Sequence, residues 1–141
     1  MNVKGRIAVL AALAAGIVAV MAAKHWSGPA DPPAGARPLR KDLPTLIDIG
    51  GGKCTACTMM VPVMESLARD FAGRLNVRML DVLEDPETDK YKVGLIPLQV
   101  FEAPGGKELF RHEGFMSRED ILAKWKALGY DLDAPPGGRG G

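Results

Sequence analysis

Cys54 and Cys57 are the two cysteines of this 141-residue chain, spaced Cys-Thr-Ala-Cys where an apolar extended run gives way to a helical pattern. At the first turn of a helix that spacing brings two sulfurs within bonding distance. The leading sulfur then lies over the N–H groups that have no partner inside the helix. The positive end of the helix dipole stabilises a thiolate at that position. Gly50, Gly51, Gly52 and Lys53 precede Cys54, leaving its sulfur uncrowded and placing a pKa-tuning cation beside it. Cys54 is therefore read as the nucleophile of a redox dithiol, and Cys57, one turn further in, as the resolving thiol.

Three other uses of the pair compete with this reading. Tetrahedral zinc needs two further ligands, and the two histidines, His25 and His112, form no ligand-like pair, so no such centre is expected. A purely structural disulfide would close so short a loop that it would restrict the unfolded chain little. A soft-metal, copper-type carrier stays open as an alternative, because Met59 and Met60 follow the pair, although both methionines read as helix packing.

The elements that must position the dithiol can be read from the flanking pattern. Thr45 to Ile49 is a buried strand, and the helix that follows carries Met60, Val61, Met64, Leu67, Ala68 and Phe71 at helical spacing, with Gly73 as its stop. Val77 to Leu83 is a second strand. Asp85-Pro86 caps a short helix that runs toward Lys92. Leu98 to Glu102 and Glu108 to Glu113 flank the turn Ala103-Pro104-Gly105-Gly106 and form a hairpin. Ser117 with Asp120 caps a last helix bearing Ile121, Leu122, Trp125 and Leu128, stopped by Gly129. His112, alternating on a hairpin strand, reads as a solvated residue and not as a catalytic base.

The N-terminus speaks to location. Lys4 and Arg6 precede an uncharged, mostly aliphatic run from Ile7 to Ala23, long enough to span a bilayer. Residues 1–26 are thus expected to be a signal anchor, or a signal peptide if cleaved, that sends the rest of the chain across the membrane. Residues 27–43 are rich in Pro, Ala, Gly and basic residues and read as a tether. Residues 44–133 form the globular domain, and 134–141 a Pro/Gly tail without fixed structure. Formal net charge is +1 with no basic stripe, so nucleic acid is not an expected partner.

Over about residues 44 to 130 the chain resembles the thioredoxin family. The resemblance rests on Asp48 six residues before Cys54, the Cys-x-x-Cys itself, Pro62 five residues after Cys57, Tyr91 six residues before Pro97, and Gly114 before the last helix. It implies an α/β thioredoxin-like fold and a protein disulfide oxidoreductase with no cofactor beyond the Cys54–Cys57 disulfide. Only the tether precedes Thr45, so the sheet is expected to be a trimmed, four-stranded mixed one. Ile96-Pro97 falls where the family has its substrate-binding cis-proline loop. Asp48 falls where a buried carboxylate takes the proton of the resolving thiol. Implied partners are protein thiols and disulfides, among them apocytochrome thiols, and a membrane thiol-electron donor; a monomer facing the periplasm is expected. Two departures stand out. Lys53-Cys54-Thr55-Ala56-Cys57 replaces the familiar Trp-Cys-Gly-Pro-Cys, which leaves the direction of electron flow open between reductant and oxidant. Met79 takes the place where many members carry a lysine near the aspartate.

Overall fold

A computed structural model describes residues 38–133. The expected N-terminal segment, most of the tether and the C-terminal tail lie outside the described residues. Within them the order is β1 (Thr45–Gly50), α1 (Thr55–Asp70), β2 (Asn76–Asp81), a 3-10 helix (Pro86–Tyr91), β3 (Leu98–Glu102), β4 (Glu108–Glu113) and α2 (Arg118–Ala127).

The four strands form one mixed sheet in the order β2-β1-β3-β4. β1 and β2 run parallel, and β3 is antiparallel to both β1 and β4. The period of two in each strand separates two faces. Leu46, Val77 and Phe101 join Met60, Met64, Leu67, Ile121 and Trp125 in the core beneath α1 and α2. Ile47, Ile49, Leu80, Leu98 and Val100 form a second cluster with Tyr91. Phe101 and Trp125 anchor the helical side, their ring centroids 4.9 Å apart.

Both hairpin strands and the Ser117 cap lie where the sequence places them. The Ser117 hydroxyl accepts from the Asp120 N–H at 3.2 Å and donates to the Asp120 carboxylate at 2.6 Å. β2 ends at Asp81, earlier than Leu83, because the Asp81 carboxylate captures the Leu83 N–H at 2.8 Å and turns the chain. Asp85 does occupy the cap position of the next helix, but its carboxylate accepts from the Asp81 N–H at 2.7 Å instead of capping, and that helix is 3-10. Arg78 holds it to β2 through two 2.7 Å bonds to Glu87. On α1, Met60 is fully buried, whereas Met59, one step round the helix, is 52 % exposed and does not pack as expected. The end of the expected tether is docked: the Arg40 N–H donates to Asn76 Oδ1, and Asn76 Nδ2 donates back to the Arg40 carbonyl at 2.7 Å.

Candidate active site

Cys54 is the N-cap of α1, with extended backbone, and Cys57 lies in the first turn. The two are joined by a disulfide, their Cα atoms 5.1 Å apart. The Cys57 N–H donates to the Cys54 sulfur across 3.1 Å, which satisfies one of the otherwise unpaired N–H groups at the head of the helix. Cys57 is buried and Cys54 half-buried. Cys54 is therefore the more accessible of the two. Pro62 lies inside α1, where it removes one helical N–H.

Ile96-Pro97 is a cis peptide, as the resemblance implies, and the Ile96 carbonyl oxygen lies 4.0 Å from the Cys54 sulfur. Ile96 is half-buried and Pro97 buried. The Gly114 N–H donates to the Pro97 carbonyl at 2.8 Å, tying this loop to the end of β4. Lys53 is exposed beside Cys54 in the chain.

Asp48 is 2 % exposed in the middle of β1. Its neighbours in register are Met79 on β2 and Gln99 on β3, and Gln99 is in turn paired with His112 on β4. One row of the sheet beneath the helices thus reads Met79, Asp48, Gln99, His112, against the apolar row Val77, Leu46, Phe101, Phe110 two residues away. Gln99 Nε2 donates to Asp48 Oδ1 at 2.8 Å. Burial pushes the Asp48 carboxyl up to about 6, with the Gln99 donor working in the opposite direction. An open pocket of about 330 Å³ reaches this carboxylate, lined by Asp48, Gly50, Cys57, Met79, Asp81 and Asp85 among others.

Gly50 closes the gap between strand and helix. A Cβ at Gly50 would stand 3.1 Å from Cys57 Cβ, 3.4 Å from Cys57 Sγ and 3.9 Å from Asp48 Oδ2. The Cys57 sulfur and the buried carboxylate therefore converge on one small space that glycine leaves open. In the sequence the three glycines read as room for the Cys54 sulfur, and neither Gly50 nor Gln99 stands out. The signal for Gln99 was a lone amide in the apolar run Leu98 to Phe101, and its meaning depends on which residue lies across the strand.

A cysteine pair at the head of a helix, the Ile96 carbonyl of a cis Ile96-Pro97 peptide beside the outer sulfur and a buried carboxylate near the inner one define a thiol–disulfide oxidoreductase. The thioredoxin family model matches residues 37–127, and this chain belongs to the thioredoxin family. It is 38 % identical over 78 residues to thioredoxin of Staphylococcus aureus, a match covering 54 % of this chain and 73 % of that protein. Among solved structures it is similar to chloroplastic thioredoxin z, with a TM-score of 0.55 at 24 % identity, over 62 % of this chain and 79 % of that one. That likeness bears on the fold alone.

Proposed function

We propose that the protein reduces disulfides of other proteins on the outer side of the cytoplasmic membrane. The observation that carries the direction is what surrounds the Cys54 sulfur. Among the described residues its recorded polar neighbours are one backbone N–H, from Cys57, and one carbonyl oxygen, from Ile96. Dithiol oxidants owe their power to a heavily stabilised thiolate, supplied by cations or several donors. Here Thr55 and Ala56 add no charge between the cysteines, a carbonyl oxygen opposes the helix end, and Lys53 is exposed, where solvent and salt screen its charge. Such a thiolate is stabilised enough to attack and not so much that the reduced form is trapped.

In the reaction, the Cys54 thiolate attacks a substrate disulfide and releases one substrate thiolate. Cys57 loses its proton and attacks the Cys54 sulfur, which releases the second substrate sulfur and leaves the Cys54–Cys57 disulfide. Two electrons pass to the substrate, and a dithiol donor must return them. Support for the location is Lys4 and Arg6 followed by the uncharged run Ile7 to Ala23. Among the described residues no helix is long and apolar enough to cross a membrane.

The test is Cys57→Ser in the full chain. A lone Cys54 can attack a disulfide but cannot form the internal bond needed to oxidise a dithiol. Covalent adducts with extracytoplasmic proteins, lost on reduction, are the expected result. Their absence with Cys54 reduced and the protein folded, or adducts with cytoplasmic proteins alone, would contradict the proposal.

A further inference from the structure

The two oxygens of Asp48 have different surroundings. Oδ1 accepts from Gln99 Nε2. Oδ2 is the oxygen near the Gly50 gap, on which Cys57 Sγ also converges. On the opposite flank the partner in register is Met79, which offers no hydrogen. Among the described residues Gln99 is the side chain that hydrogen-bonds this carboxylate. Its own position is an expensive one: Gln99 is fully buried among Leu98, Val100 and Phe101, and its Oε1 has no partner. A buried amide with one unmet oxygen is worse for stability than an apolar side chain of similar size. Its Nε2 contact is what the sheet gains in exchange.

We propose that Gln99 is a positioning residue for the resolving step: by holding Oδ1 it turns Oδ2 toward Cys57 and keeps the Asp48 carboxylate ready to accept the thiol proton. The step then runs with the Cys57 S–H proton passing to Oδ2, directly or through one water in the Gly50 gap, while the sulfur's electron pair forms the bond to Cys54. The bond between Cys54 and the substrate sulfur breaks, and its electron pair leaves on the substrate. The inference rests on the proposed reaction and on Asp48 taking the Cys57 proton in it, the role the family resemblance implies. Gln99 takes the place of a fixed cation in this role: a neutral donor favours the ionised carboxylate without pinning it there, so the proton can move on. The other titratable groups facing this space are Cys57 on α1 and Asp81 and Asp85 at the end of β2 and the turn after it. His112 stands beyond Gln99 on β4.

The test combines two readouts on the full chain with both cysteines reduced: the carboxyl ¹³C shift of Asp48 against pH, and the pH profile of mixed-disulfide resolution. Gln99→Met keeps length and packing while removing the donor, and Gln99→Glu keeps the shape while replacing the donor with a second acid. Gln99→Met is expected to move the Asp48 midpoint upward, by on the order of one pH unit, and the rate profile with it, whereas Gln99→Glu is expected to replace that midpoint by two that belong to the carboxyl pair. Gln99→Met added to Asp48→Asn is expected to slow resolution no further. Midpoints unmoved in both Gln99 variants, with Asp48→Asn still defective, would overturn the role of Gln99 and leave the relay standing. A resolution profile identical in wild type and Asp48→Asn would overturn the relay, and this inference with it.

Discussion

The backbone N–H of Cys57 points at the sulfur of Cys54 across 3.1 Å, so the chain's own helix supplies the charge stabilisation for its outer thiol. In the reduced protein the same N–H faces a thiolate, and a charge-assisted hydrogen bond to an anion is stronger than one to a neutral acceptor. Cys54 is also the more exposed of the two. The expected outcome is a Cys54 pKa below the ordinary thiol value of about 8.5, with Cys54 alkylated well before Cys57 at neutral pH. Mass spectrometry after brief pH-stepped alkylation checks this. Faster labelling of Cys57 would reverse the assigned roles.

Asp48→Asn separates stability from chemistry. The folded carboxyl titrates near 6, above its ordinary 3.8. Well below pH 4 the group is protonated in both folded and unfolded protein, and the penalty for burying a charge is absent. As pH rises toward 6 the unfolded state ionises first, so the cost grows, reaching about 3 kcal/mol above the folded value. Asparagine removes that cost. The variant should be more stable than wild type at neutral pH, by up to roughly that amount, with the gain fading as pH falls through 6 to 4. Its resolution step should be slowed at neutral pH and recover as rising pH ionises Cys57 unaided. Urea melts at several pH values and stopped-flow reduction of a model disulfide read the two effects independently.

Gly50→Ala probes the gap itself. Gly50 is a strand residue in ordinary extended backbone, so alanine is acceptable to the chain. The added methyl would crowd Cys57 Cβ at 3.1 Å and occupy the space shared by Cys57 Sγ and Asp48 Oδ2. Expected are a stability loss of about 1–2 kcal/mol, as for other overpacked sites, and a resolution step slowed more than the initial attack of Cys54. Equal slowing of both steps would mean that the methyl merely distorts the helix start.

These residues show what the sequence made legible and what it hid. Cys54, Cys57, Asp48 and Pro97 are recognisable because their offsets along one chain carry the pattern, and the structure gathers them at one end of the sheet. Strands β3 and β4 were legible because the turn Ala103-Pro104-Gly105-Gly106 separates two extended runs. The early end of β2 was not, since it depends on the Asp81 side chain competing with a strand for the Leu83 N–H. Gln99 and Gly50 were hidden for a different reason. The importance of Gln99 lies in its register opposite Asp48, 51 residues away, which the packing of the whole sheet sets, and that of Gly50 in how closely the head of α1 approaches the end of β1.

If the Cys54–Cys57 pair donates electrons to protein disulfides, its redox balance must favour the disulfide. Its reduction potential tests this most directly, measured by equilibrating the full chain with defined ratios of reduced and oxidised dithiol buffer and quantifying free thiols. A potential close to the thioredoxin value, about −270 mV, is expected, because one N–H and an exposed, solvent-screened Lys53 stabilise the Cys54 thiolate. A potential near the roughly −120 mV of a strong dithiol oxidant would contradict it.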